Sequence, residues 1–342
     1  MRKLLVTGGA GFIGSNFVEY WVNKYPEDQI IILDALTYAG NPQNLPEVIK
    51  KTSRCEFWYG SVTNHEMVDH LVNQVDTVVH FAAESHVARS LFDNRIFFET
   101  DVIGTQVVTN SVLKHYSNVE RFVHISTSEV YGTALTDPMC EDHPLNPTSP
   151  YASAKTGADR LVYSYVQTYG VPAVIIRPFN QYGPRQHLEK VIPRFITSAL
   201  NNEPLTIHGN GSARRDWLHV HDTCERLDKV INAPLNRIVG EVFNIGSGFD
   251  LDILSIARMI LDITGRKEDL IQFSADRMGQ VDRHISSTQK AETVLGITPG
   301  RSFEQGLRET IEWYRYNESW WRPLEWMREV KIITKTGQIE KH

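Results

Sequence analysis

The chain has 342 residues, 41% of them hydrophobic and 22% charged, with a net charge of −6. That is long enough to bury a core without covalent staples, and too acidic overall for a nucleic-acid surface. Cys55, Cys140 and Cys224 lie far apart with no CxxC or Cys/His ligand spacing, which points to free thiols in a reducing, cytoplasmic setting and to no metal. No window of about 18 apolar residues occurs, and glycines interrupt the apolar N-terminal stretch, so neither a membrane span nor a signal peptide is expected.

Lys3 to Val6 is a short apolar run ending in glycines, which suits a buried strand. Phe12 to Asn23 reads as a helix. Gln29 to Leu33 is a second run, stopped by Asp34. Thr77 to Ala83, Phe122 to Ser126 and Val171 to Ile176 repeat the pattern, with helical stretches between them. Strands alternating with helices imply a Rossmann-like, doubly wound α/β fold with a parallel sheet. After Pro178, prolines and glycines cut the chain into shorter pieces, which suggests a smaller α/β region. The expected division is therefore a dinucleotide-binding domain over 1–178, a substrate-binding region over 179–330, and a polar tail over 331–342 that frays.

Thr7-Gly8-Gly9-Ala10-Gly11-Phe12-Ile13-Gly14 follows the first strand and opens the first helix. Gly8 suits a tight turn, Gly11 a close approach of pyrophosphate, and Gly14 close packing of helix on strand. The helix start then offers unpaired N–H groups to an anion. Asp34 follows Gly14 at the distance where a carboxylate binds the ribose hydroxyls and repels a 2′-phosphate, which favours NAD over NADP.

Tyr151 and Lys155 stand four apart at a helix start, on one helical face. A neighbouring ammonium favours tyrosinate, so this pairing is expected to lower the Tyr151 pKa. Ser126-Thr127-Ser128-Glu129-Val130-Tyr131-Gly132 falls at the carboxyl end of a strand, where this fold carries its chemistry. Thr127 suits a hydrogen bond to a substrate hydroxyl, and Glu129 suits a general base.

TGGAGFIG, the Tyr151/Lys155 pair and STSEVYG together resemble the extended short-chain dehydrogenase/reductase family. LDALTYAGNPQNL (33–45), FAAESHVARS (81–90), RPFNQYGPRQHLEKVIP (177–193) and GNGSARRDWLHVHD (209–222) narrow the resemblance to dTDP-glucose 4,6-dehydratase and related nucleotide-sugar 4,6-dehydratases. It implies an NAD-dependent lyase that converts a nucleotide-diphosphate hexose to its 4-keto-6-deoxy product. Tyr151 would take the C4 hydroxyl proton, Lys155 would hold the nicotinamide ribose and tune Tyr151, both of them contacting the cofactor, Thr127 would bond the C4 oxygen, and Glu129 would remove the C5 proton. Cofactor contacts carry over to Phe12, Ile13, Ser61 and Ala82 besides the glycines and Asp34. Substrate contacts carry over to Glu84, Ser85, His86, Asn180, Lys190, Arg215 and Arg277, whereas Arg214 is the better surface ion pair. A homodimer is implied by the same resemblance.

Four departures stand out. Ser128 replaces an Asp that protonates the departing C6 hydroxyl in the dTDP-glucose enzymes, and a hydroxyl is far too weak an acid to do so. Ala88 replaces an Asp of the HVDRS pattern, Ser61 an Asp near the adenine, and Gln280-Val281-Asp282 a His-Asp-Arg run near the nucleotide. Three enzyme readings follow. The first is a dehydratase in which Glu129 carries the proton to C6 with a water on Ser128, which keeps Ser128 among the catalytic candidates. The others are a UDP-glucuronate decarboxylase, whose T-S-E matches, and a C4-epimerase. A dinucleotide-sensing non-enzyme would need none of Thr127, Glu129, Tyr151 and Lys155. The nucleotide stays open among dTDP, UDP and GDP.

Overall fold

The computed structural model describes all residues except 46–48, 50–51, 277, 279–280, 282, 335 and 342, and the side chain of 341. Its centre is a seven-stranded parallel sheet. Six strands come in chain order: β1 (Lys3–Thr7), β2 (Gln29–Asp34), β3 (Cys55–Tyr59), β4 (Thr77–His80), β5 (Arg121–Ile125) and β6 (Ala173–Pro178). Across the sheet they run β6, β5, β4, β1, β2, β3, with a seventh strand, Val242–Ile245, outside β6. The chain reverses direction across the sheet between β1 and β4, so a crevice opens at their carboxyl ends. Helices cover both faces, over two apolar cores built from Leu4, Val6, Ile30 and Ile32 on one side and Leu5, Ile31, Leu33 and Val78 on the other. That alternation is the period of two of a strand buried on both faces.

β4 ends at His80, three residues before the apolar run does. Residues 81–86 leave the sheet as a loop along the crevice. β3 is an edge strand with Glu56, Phe57 and Tyr59 exposed, so its mixed pattern gave no strand expectation.

The break at residue 178 does not divide the core. The Val242–Ile245 strand pairs with β6, and the Val220–Asn232 helix packs on the Phe12–Lys24 helix. Asp228 there accepts from Lys24 Nζ (2.5 Å) and from the Tyr25 hydroxyl (2.6 Å). The rest of the second region has its own core, with Phe195, Ile196, Trp217, Ile260, Leu307 and Trp321 at its heart. Its Arg214–His219 strand pairs with Asn180–Tyr182, Asp250–Asp252 and Arg283–His284. Within the stretch read as a tail, Lys331–Ile333 and Ile339–Lys341 form an antiparallel hairpin.

One ion pair fixes the helix Pro150–Tyr169 to the sheet. Arg177, on β6, donates Nε and Nη2 to the two Asp159 oxygens at 2.9 and 3.0 Å, and both side chains are buried. Burial alone would raise the Asp159 pKa, but the bonds and charge of Arg177 outweigh it and bring it down to about 2. The carboxylate therefore stabilises the fold above the unfolded-state pKa, and that contribution is lost as pH falls from about 4 toward 2. Asp159→Asn should cost about 3–5 kcal/mol at neutral pH in urea unfolding, because it strands a buried guanidinium. The difference from wild type should shrink toward pH 2. A loss under about 1 kcal/mol at neutral pH would contradict this.

Candidate active site

The crevice widens into a cavity of about 490 Å³. At its β1 end, Gly8 has φ +69°, and a Cβ there would sit 2.6 Å from the Ala82 nitrogen. A Cβ on Gly14 would overlap the Gly8 carbonyl oxygen. Only glycine fits either position. Gly11 caps the Phe12–Lys24 helix with no side-chain bond, which leaves the first N–H groups facing the cavity. Asp34, at the end of β2, accepts from Ala10 N and Leu36 N, each at 2.8 Å. Burial raises its pKa, and those two bonds oppose the rise. Phe12, Ile13, Ser61 and Ala82 line the same end. A glycine cradle that a Cβ would fill, an open helix start and an oriented carboxylate suit a dinucleotide.

Next along the cavity, Thr127 caps a one-turn helix over Ser128–Tyr131, and its Oγ1 accepts from Glu129 N at 3.2 Å. Ser149 caps the Pro150–Tyr169 helix by accepting from Ala152 N at 3.1 Å, with Pro150 in the first turn. Tyr151 is thereby held at the helix start, where its hydroxyl shares a hydrogen bond with Thr127. Lys155, one turn on, donates from Nζ to the Ile125 carbonyl at 2.7 Å. Thr127, Ser128, Glu129, Tyr151 and Lys155 all line the cavity.

The electrostatics differ from the expectation drawn from the four-residue spacing. Burial pushes the Tyr151 phenol above its ordinary range, and the charges of Asp101 and Glu129 push the same way; only the Thr127 bond opposes them. Lys155 is itself lowered by burial, against the pull of Asp101 and Asp159. Its ammonium is turned to a backbone carbonyl, so it does not offset the burial of Tyr151. Asp101 is the unforeseen group. It is fully buried in a π-helical turn, Phe98–Gly104, with Oδ1 accepting from Glu84 N at 2.7 Å and Oδ2 lacking a hydrogen-bond partner. Burial raises its carboxyl to about 8, against the attraction of Lys155.

The far part of the cavity is lined by Glu84, Ser85, His86, Asn180, Lys190 and Arg215. Lys190 Nζ donates to the Ser85 carbonyl at 3.0 Å, and Arg215 Nη1 to the Arg214 carbonyl at 2.8 Å. Arg214 itself pairs with Asp250 at 3.0 Å. Arg277, Gln280 and Asp282 lie outside the described residues. Sequence reasoning missed Glu189, a buried carboxylate that accepts from Arg89 Nε at 2.9 Å beside His86, His187 and Lys190. Its place inside the basic HLEK segment was the available signal. It also missed His284, whose Nε2 contacts the Gly132 carbonyl at 2.7 Å and whose ring feels the Glu129 charge; nothing in the local sequence marks it. Away from the cavity, His219, His221 and Glu309 bring ligand-type atoms within 4.8 Å of one another, but Glu309 already accepts from Arg301 Nε at 3.1 Å and Gln305 Nε2 at 2.9 Å.

Fold and site together define a Rossmann-type protein of the extended short-chain dehydrogenase/reductase kind. The family model described as GDP-mannose 4,6 dehydratase matches residues 5–310, and the chain belongs to that family. A dTDP-glucose 4,6-dehydratase of Mycobacterium tuberculosis is 42% identical over 94% of this chain and 96% of its own. The low-salt glycan biosynthesis protein Agl12 of Haloferax volcanii is 44% identical over 91% and 98%. Among solved structures, the dTDP-glucose 4,6-dehydratase DesIV of Streptomyces venezuelae, with NAD and TYD bound, superposes with a TM-score of 0.89 at 40% identity, over 94% of this chain and all of that one.

The fixed Asp34 carboxylate leads to a direct expectation. Calorimetry should find NAD bound at least about tenfold more tightly than NADP, since a 2′-phosphate would meet a buried anion. Asp34→Ala should narrow the gap. Equal or tighter NADP binding by the wild type would contradict the assignment.

Proposed function

We propose that this protein is an NAD-dependent nucleotide-sugar 4,6-dehydratase, acting on a nucleotide-diphosphate hexose. The observation that carries the reading is Glu129 beside Thr127 and Tyr151, in a cavity that continues to Lys190 and Arg215. C4 oxidation alone needs a base at the hydroxyl. Loss of water between C5 and C6 needs a second base at C5, which epimerisation does not. Similarity supports the same choice: the dehydratase DesIV is 40% identical, whereas a UDP-glucose 4-epimerase of Thermotoga maritima is 29% identical.

Bound NAD would accept a hydride from C4 and return it at C6, ending each turnover unchanged. This chain's residues would manage the protons. Thr127 holds the C4 oxygen, and Tyr151 takes its proton. The 4-keto group then acidifies C5–H, and Glu129 removes that proton. Ser128 cannot protonate the departing C6 oxygen, so Glu129 delivers to C6 the proton it collected at C5, and water leaves; C5 regains a proton from solvent as hydride adds at C6, and Tyr151 gives up its proton to solvent. Lys190 and Arg215 offer charge to the diphosphate.

Two looser attributes belong to the same proposal. Cys55, Cys140 and Cys224 are all unpaired, which supports a reducing, cytoplasmic setting. A homodimer is supported by large apolar side chains left exposed around the helices next to the site: Phe92, Ile96, Phe98, Ile103 and Tyr163. Light scattering should give twice the chain mass, and Ile103→Asp should shift it toward the monomer. A wild-type monomer at micromolar concentration would remove the dimer from the proposal.

Glu129→Gln should lower turnover of the nucleotide hexose by about 10²–10⁴-fold, the usual worth of a positioned base. It should still reduce the bound cofactor, visible at 340 nm, because Tyr151 serves that step. Tyr151→Phe should abolish both while leaving NAD affinity unchanged. Full turnover by Glu129→Gln would remove the dehydratase reading.

A further inference from the structure

The C-terminal hairpin does more than close off the chain. Gly337, at φ +82°, donates to the Thr334 carbonyl, and Thr334 is fully buried. Val330 and Ile332 are 7% and 4% exposed, and they form an apolar cluster with Ala88. All three line the cavity, although the hairpin is more than 150 residues from Lys155 in sequence. On the other side, the Ile333 carbonyl accepts from Met278 N at 2.9 Å, and Met278 is also a cavity residue. At the root of the hairpin, Arg328 Nη1 reaches Glu203 at 2.8 Å. The match to the family model ends at residue 310, before the hairpin begins.

Two departures in the sequence meet here. Ala88 stands where the HVDRS pattern has an Asp. A carboxylate at 88 would face the apolar side chains of Val330 and Ile332, which offer it no hydrogen bond, and that is costly. The small apolar residue and the apolar hairpin therefore suit each other. Of the second departure, over 280–282, the described residue is Val281, and it lines the cavity too. The position relative to charge is also informative. Arg89, next to Ala88, bonds Glu189, next to Lys190. The apolar wall thus lies beside the part of the cavity suited to a diphosphate.

We propose that the hairpin is a specificity-determining wall of the substrate site: Val330 and Ile332 pack against an uncharged face of the nucleotide sugar, and the Ile333 carbonyl holds Met278 against the same ligand. This rests on the nucleotide-sugar reading and adds to it a part of the chain that the family model does not reach. Uncharged faces of such a ligand are its base and its pyranose ring; the diphosphate takes the lysine and arginine instead.

The test is calorimetry on full-length, NAD-loaded protein carrying Tyr151→Phe, so that nothing is turned over. The probes are dTDP-glucose, UDP-glucose and GDP-mannose. Ile332→Asp should weaken the best-bound of the three by about tenfold or more, as a lost apolar contact plus a misplaced charge would. It should leave NAD affinity unchanged, and Ile332→Val should bind within about twofold of its parent. If Ile332→Asp does not fold, Met278→Pro, which removes the N–H held by Ile333 and also restrains the backbone there, should show the same loss. Binding unchanged by the folded variant, with the parent binding well, would overturn the hairpin's role and leave the dehydratase reading standing. Failure of the parent to bind any of the three would overturn both.

Discussion

The arrangement depends on a single buried ion pair and the hydrogen bonds that radiate from it. Asp159 anchors the helix carrying Tyr151 and Lys155, and Arg177 anchors β6. The same guanidinium donates to the Tyr131 hydroxyl at 3.0 Å, at the end of the turn that carries Thr127 and Glu129. Tyr131 in turn donates to Asn244 at 2.7 Å, on the strand contributed from beyond residue 178. Two isolated charges could not be buried there; a bidentate pair with its remaining donors occupied can be. The pair sets the relative position of the two proton-handling segments without reaching the cavity itself.

The cavity shows a division between fixed and adjustable parts. At the β1 end, backbone meets backbone, and Gly8, Gly14 and the Asp34 bonds leave no room for side-chain variation. At the far end the walls are side chains from several elements of the second region and from the C-terminal hairpin. Physical chemistry gives a reason for this split. The cofactor end must present N–H groups and one carboxylate at fixed spacing, whereas different nucleotide sugars demand different walls. Burial without water then makes every charge near Tyr151 count: Asp101 and Glu129 act on its phenol across a medium that screens little.

Much of this was legible in the residues. The glycine turn, Asp34 and the five buried strands β1, β2, β4, β5 and β6 follow from local rules: glycine spacing, and apolar runs buried on both faces. What was not legible depends on distant contacts. The Cys55–Tyr59 strand is half-exposed, and Val242–Ile245 is only four residues long. The hairpin reads as polar because, among its described residues, Val330, Ile332 and Thr334 are the buried ones. Lys155 and Tyr151 were placed correctly on one helical face, yet the protonation inferred from their spacing did not follow, because the Ile125 carbonyl takes the ammonium and burial dominates the phenol. Asp101 was invisible because a π-turn, which no simple periodicity announces, aims it inward.

The central claim is that the site removes water between C5 and C6 after oxidation at C4. It is tested most directly with a nucleotide hexose carrying deuterium at C4, with the product read by mass and NMR. The account predicts a 4-keto-6-deoxy sugar, lighter by one water, with the C4 deuterium now on C6. Deuterium returned to C4 of an inverted hexose, or carbon dioxide released from UDP-glucuronate with no hexose losing water, would contradict it.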